Sequence, residues 1–363
     1  MTTDPYSSDT PALLTRSLSH VVAGRIVLPT ETITLDVQGG RLSFDETRSP
    51  RVMLTGLECR IPTDPAVLSR IDPRTGARVE LDLGYTRPGG AQDVHLIADL
   101  GLRTRPVARP ADTMTLEAAS DEALVIDGSP TVGAAFSTAN TTTAIRDVLR
   151  AVFPALTPTV TAGVGPAIAQ GPYDDRWDLV LDLSDRIGAR TFDDGLRGWH
   201  IDPVPVLGTP NLDLSVGANG TIVDSEAGLG RDEWANVVIL RYRWRDTSDV
   251  EHTITATRRV QTGPYAATVG NSKIELVERD VATTQTEANA AAAALVARTV
   301  TRGRSLTVTA VSAYWLRPGD TVNVTLPTGP TEQHLVASVD FDLATGLMQV
   351  TTRLPDNTGT IGA

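Results

Sequence analysis

Short stretches in which apolar and polar residues alternate make up most of this chain, and turn residues separate them. From Ser17 to Pro62 the pattern is strand-like. Ile33, Leu35 and Val37 alternate with Thr34 and Asp36, Gly39-Gly40 reads as a turn, and Val52 to Ile61 reads as another strand. Asp72-Pro73-Arg74-Thr75-Gly76 is a turn sequence expected between two strands, the second continuing over Val79 to Tyr85. Val94 to Arg105 and Thr113 to Ile126 complete the set, which closure into a barrel would leave without open edges.

The period then changes. Asn140 offers an N-cap, and Ile145, Val148, Leu149 and Val152 follow at helical spacing until Pro154 stops the helix. A loop over 157–172 leads to a second helix, capped by Asp174 or Asp175. Trp177, Val180, Leu181, Ser184 and Ile187 line one face of that helix, and Gly188 is placed as its stop. Arg190 to Asp202 reads as a hairpin turning at Asp193-Asp194-Gly195.

A second strand-rich region begins near Gly220. In Trp234 to Arg245, alternation sets Val238, Leu240, Tyr242 and Trp244 opposite Arg241, Arg243 and Arg245. The polar stretch 247–281 leads into an alanine-rich helix, with Ala288, Ala291, Ala292, Leu295 and Val296 on one face. Four strands are expected after it, over 305–312, 321–326, 334–341 and 347–354. Pro318 and Gly319 make a tight turn before the second, and Asp342 to Gly346 makes the last hairpin turn.

The fold class expected is mainly β with α+β insertions: two small β-barrel domains flanking and interleaved with a helical module. The N-terminal barrel takes residues 13–130 and an α+β module takes 131–205. The second barrel is discontinuous, over 206–245 and 301–354, with 246–300 as an insertion carrying the alanine-rich helix. As structural positions, Trp177 and Ile187 anchor the middle helix, and Pro318, Gly319 and Asp320 set a barrel turn.

Composition narrows the function classes. At 363 residues there is room for more than one core, and sparse aromatics (4%) leave the cores to Val, Leu, Ile and Ala. A net charge of −12 disfavours adhesion to nucleic-acid phosphate or anionic lipid. Cys59 is the only cysteine, which excludes an intramolecular disulfide and a thiolate metal cluster. Neither a signal peptide nor a membrane-length apolar run is visible, so synthesis in the cytosol as a soluble chain without a membrane anchor is expected.

The search for chemistry yields no catalytic, cofactor-binding or metal residues. The five histidines are scattered, and no nucleophile elbow, P-loop or zinc-protease motif occurs. Gly163-Val164-Gly165 lacks the third glycine and the strand–turn–helix of a dinucleotide site, and reads as a loop. Asp174-Asp175 fits a helix cap and Asp193-Asp194 a turn. Asp340 and Asp342 share a strand face and offer at most a weak Ca2+ site. Arg241, Arg243 and Arg245 lie on the face opposite Tyr242 and Trp244, which suits a solvated or subunit-contacting strand better than a single-strand binder.

The order of these elements resembles the baseplate hub or tail-associated (minor tail) proteins of long-tailed bacteriophages. The residues that carry the resemblance are the Arg176-Trp177-Asp178-Leu179-Val180 helix with the 190–203 hairpin, the Trp234 to Leu240 strand, and the Ala288 to Arg298 helix. The Leu316-Arg317-Pro318-Gly319-Asp320-Thr321-Val322 turn and the closing hairpin complete them. The resemblance implies a non-enzymatic virion protein, assembled in the host cytoplasm. In it, three copies with two related barrels each form a ring of quasi-sixfold symmetry. That homotrimer joins a sixfold tail-tube or distal tail protein to a threefold spike or fibre, and genomic DNA passes through its lumen without specific binding. Many larger relatives continue into a cell-wall hydrolase, whereas this sequence stops soon after the closing strand, so cleavage is expected of another subunit. The rival readings are a tail-associated cell-wall hydrolase, a carbohydrate-binding module for the host surface, and the hub of a contractile injection device.

Overall fold

A computed structural model describes residues 5–14, 18–128, 135–173, 175–232, 234–301, 304–327, 329–353 and 360–362. Ser17, the alternative cap Asp174, Leu354 and the extreme ends lie outside the described residues. The fold is mainly β. Its first half contains β1 (Ser19–Val27), β2 (Thr32–Leu35), β3 (Val37–Asp45), β4 (Val52–Arg60), helix α1 (Pro65–Arg70), β5 (Arg78–Thr86), β6 (Gln92–Thr104), β7 (Thr113–Ala119) and helix α2 (Glu122–Asp127). Helices α3 (Thr141–Arg150) and α4 (Arg176–Arg186) follow, then the hairpin β8 (Ala189–Asp193) and β9 (Trp199–Pro203). The second half contains β10 (Pro210–Ser215), β11 (Ile222–Leu229), β12 (Val237–Arg245), β13 (Glu251–Val260), β14 (Ile274–Arg279), helix α5 (Gln285–Thr301), β15 (Arg304–Val311), β16 (Thr321–Thr325), β17 (Glu332–Asp342) and β18 (Leu347–Arg353).

Where two closed barrels are expected, the described residues form one continuous sheet in the order β11-β15-β18-β17-β3-β4-β7-β6-β5-β1-β2, with β16 bridging β17 to β10. The seam is β17 against β3, antiparallel, with Val339 opposite Phe44 and Phe341 opposite Leu42. The first half still curls. Asp36 alone separates β2, which pairs with β1, from β3, which pairs with β4. Among the described residues, hydrogen bonding does not close the sheet into a ring. One apolar core lies across the seam, with Leu42, Leu54, Leu81, Val339, Phe341 and Val350 fully buried.

A second core lies under the helices. Val180 and Leu183 of α4 meet Trp199 and Ile201 of the hairpin, and Ala288, Ala292 and Val296 of α5 meet Val238, Leu240 and Tyr242 of β12. The expected caps are present: the Asn140 side chain accepts from Thr143 N–H at 2.8 Å, and Asp175 accepts from Trp177 and Asp178 N–H at 2.7 and 2.9 Å. Among the described residues, no helix is long and apolar enough to cross a membrane.

Four further expectations are corrected. Gly39-Gly40 is no turn but an irregular stretch inside β3. Gly40 has φ +145°, and a Cβ there would stand 2.8 Å from Leu57 Cα, so glycine lets β4 come close. The strand expected before Asp72 is α1, because Asp64 caps Ala66 N–H at 2.8 Å and Pro65 sits in the first turn. The strand expected to reach Ile126 stops at Ala119 and gives way to α2. Finally, β12 does not join the C-terminal strands. It pairs with β13 and β14 in a separate sheet covered by α5, because its apolar face matches that helix.

The seam core yields a stability prediction. Phe341 is fully buried, with its ring 6.2 Å from Phe44 and 5.2 Å from Tyr314. Phe341→Ala should lower unfolding free energy by about 3–5 kcal/mol in a denaturant titration. A loss well under about 1 kcal/mol would mean the seam is not a packed core.

Candidate functional site: the hairpin that joins the sheet to the helical module

The 316–322 turn is held by β17 and by the Asp320 side chain. Gly319 N–H donates to the Val336 carbonyl at 2.8 Å, Val336 N–H donates to the Asp320 carbonyl at 2.9 Å, and Arg317 N–H donates to Asp320 Oδ2 at 2.8 Å. Gly319 has φ +92°, the region that favours glycine. A Cβ there would lie 2.8 Å from Pro205 Cγ and 2.9 Å from the Arg190 guanidinium. Arg190 Nη1 in turn donates to the Pro318 carbonyl at 3.3 Å, and the Arg317 guanidinium lies over the Phe44 ring at 4.2 Å. The turn therefore seats the β8–β9 hairpin and touches the seam. Burial pushes the Asp320 carboxyl up, against amide and side-chain hydrogen bonds that pull it down.

The other end of the same hairpin is held by buried carboxyls. Glu122 Oε1 accepts from Asp193 N–H at 3.1 Å and its Oε2 accepts from Arg51 N–H. Asp193 Oδ2 accepts from Asp121 N–H at 2.8 Å, and its Oδ1 accepts from Gly195 N–H at 3.0 Å. Glu122 and Asp193 are fully buried, and Asp121 is held by Arg78 Nη1 at 2.7 Å. Burial pushes both Glu122 and Asp193 up to about 7. The sequence pattern hides this interlock, because Thr113 to Ile126 reads as one strand. The signal that reveals it is Ser120-Asp121-Glu122, a helix-start composition.

Raised carboxyl pKa values often mark catalytic acids. Here all four oxygens already accept a backbone amide, which makes the pair a fastener between α2, the 45–51 loop and the hairpin. The expected structural residues divide between two places. Pro318, Gly319 and Asp320 come together beside Arg190. Trp177 is buried in the helical core, 6.1 Å from Trp199, and half-buried Ile187 follows α4 in that same core.

The remaining polar candidates disperse. His95, His200 and His252 stand beside Asp93, Asp194 and Asp246 respectively, while His334 Nδ1 meets Thr352 Oγ1 at 2.9 Å. No group of three metal-ligating side chains occurs among the described residues. Asp340 accepts from the Ser43 hydroxyl, and Asp342 accepts from Ala344 and Thr345 N–H, so each is engaged locally. Arg241 pairs with Glu278 at 3.0 Å and Arg245 with Asp249 at 2.9 Å on an exposed strand face. The Gly163-Val164-Gly165 segment is a loop whose Val164 carbonyl accepts from Thr142 N–H at 3.1 Å.

Loosening either end of the hairpin should be measurable. Gly319→Val should lower stability by about 1–3 kcal/mol, measured by chemical denaturation, because a β-branched residue is strained at this φ and its Cβ meets Pro205 and Arg190. The carboxyl end responds to pH instead. Glu122 and Asp193 hold protons in the folded state that the unfolded chain releases, so their contribution is complete below about pH 4 and fades as pH rises through about 7. Asp182, pushed up to about 6 by burial, acts in the same direction. Asp72 and Asp93, lowered to about 2, have the opposite sign but act only below about pH 4. The melting temperature should thus fall between about pH 5 and pH 8. Glu122→Gln should flatten that fall, and an unchanged slope in the variant would remove Glu122 from the account.

No family model matches this sequence, and no curated protein matches it. Solved structures do match over nearly the whole chain. The tail protein from Neisseria meningitidis MC58 superposes with a TM-score of 0.62 at 13% identity, covering 93% of this chain and 97% of that one. The 43 kDa tail protein of prophage MuSo2 from Shewanella oneidensis gives 0.62 at 13% identity, covering 92% and 99%. The prophage tail protein gp18 from Listeria monocytogenes EGD-e gives 0.53 at 10% identity, covering 91% and 94%. The resemblance drawn from the order of elements thus reappears in the backbone, as a fold shared with these three tail proteins.

Proposed function

We propose that this protein is a structural baseplate hub, or minor tail protein, at the tip of a phage tail. The observation that carries the reading is the shared fold over more than nine-tenths of both this chain and two tail proteins. In this reading three copies form a ring, and the two halves of each sheet occupy alternate places around it. Three copies bearing two similar faces meet six copies of a tail-tube or distal tail protein on one side, and a threefold spike or fibre on the other. The ring would be assembled in the host cytoplasm and retained in the virion. Three copies, each at −12, carry −36 charges, and an acidic lumen lets DNA pass without phosphate contacts.

The role is non-enzymatic. What supports this is the use of the most perturbed carboxyls, Glu122 and Asp193, as acceptors for backbone amides. Function then resides in subunit contacts.

Negative-stain imaging and light scattering of the purified full chain test the proposal. Rings of three subunits are expected, forming alone or on addition of the neighbouring tail protein. A strict monomer under both conditions would defeat the ring, and clear lysis of host cell walls in a turbidity assay would defeat the non-enzymatic role.

A further inference from the structure

The 45–51 loop, the β8–β9 hairpin, α4 and strands β17 and β18 enclose a cleft of about 840 Å3. Seven arginines line it against three carboxylates, in a chain whose net charge is −12. Arg48 pairs with Asp45, Arg279 with Asp182 and Asp185, Arg304 with Glu332, and Arg353 with Glu46 at 2.7 Å, while Arg190 Nη1 donates to the Pro318 carbonyl at 3.3 Å. Arg190 is left 3.9 Å from the second oxygen of that same Glu46. Arg51 and Arg190 both lie over the Phe192 ring, at 5.4 and 4.7 Å, and the Nε of each has no hydrogen-bond partner. Two guanidiniums thus share one ring.

We propose that this cleft binds a carboxylate-bearing peptide segment of a partner protein, held by the guanidiniums of Arg51 and Arg190. Burial is the main cause, and the Arg51 cation the next, that lowers the Arg190 guanidinium to about 10, so the site gains from an added anion. Planar guanidiniums match carboxylates in paired hydrogen bonds. Nucleic acid fits less well. Single strands bind by stacking bases on open aromatic faces, whereas Phe192 is stacked on His200 at 5.2 Å and flanked by the two guanidiniums. A polyanion would also approach against the chain's net charge. The spread of arginines over loop, hairpin and C-terminal strands suits a segment with several carboxylates better than one small acid. Peptide binding in this cleft does not require three copies to form a ring.

The test is fluorescence polarisation of the full chain with a labelled glutamate oligomer, with inorganic phosphate and an oligothymidine strand as competitors. Saturable binding is expected that weakens about tenfold or more in both Arg51→Gln and Arg190→Gln. Arg190→Lys, which keeps the charge and loses the fork, should fall between. Arg241→Gln, on an exposed strand face, should leave binding unchanged. Equal affinity in wild type, R51Q and R190Q would overturn the proposal, as would oligothymidine or phosphate binding as tightly as the peptide. Melting curves on every variant identify any that fails to fold, and R51Q and R190Q then serve in place of each other.

Discussion

The β3–β17 ladder holds the two ends of this chain in one sheet, and the rest of the molecule is arranged around that seam. The residues it joins, such as Ser43 and Asp340, stand 297 positions apart. Its cross-strand pairs contribute on the order of 0.2–1 kcal/mol each, too little alone to hold such distant segments together. Apolar burial contributes more. Leu42, Phe44, Val339 and Phe341 bury their side chains in a core shared by both halves, at roughly 25 cal/mol per Å2 of area removed from water. Arg317, lying on Phe44, extends the seam to the 316–322 turn, and that turn seats Arg190. Sheet, turn and hairpin are therefore one mechanical unit.

Local chemistry was legible in the sequence and long-range pairing was not. The α5 face read from Ala288, Ala291, Ala292, Leu295 and Val296 is buried as expected, because a 3.6-residue period needs no knowledge of the rest of the fold. The caps at Asn140 and Asp175 are likewise short-range. Alternation in β12 correctly placed Val238, Leu240 and Tyr242 inward, yet it did not say which sheet they face. That depended on α5, some forty residues away in sequence. Gly39-Gly40 misled for a related reason: glycine marks both a turn and a close approach, and only Leu57 Cα distinguishes them.

The buried carboxyls show why perturbed acidity is a weak guide to catalysis in this chain. Desolvation dominates the shifts of Glu122 and Asp193, and a catalytic acid with such a shift would need one oxygen open to substrate. Here each oxygen is taken by a backbone amide, three of them from another segment, so the groups exchange proton chemistry for position. They tie α2 to the hairpin at the opposite end from Pro318 and Gly319. A hairpin fixed at both ends can transmit a load between the sheet and the helical core without bending.

An open sheet also changes what an assembly can do. A closed barrel offers only its outer surface to a neighbour, whereas an open sheet keeps a strand at each end. At one end, β11 pairs only with β15 among the described residues and exposes Val223 by 64% and Leu229 by 86%. Asp224 and Glu226 on the same strand discourage indiscriminate edge pairing, since like-charged edges repel. They leave the edge available to a partner of opposite charge or matching register. The departure from closed barrels thus leaves free, at the ends of the sheet, strands that barrel closure would consume.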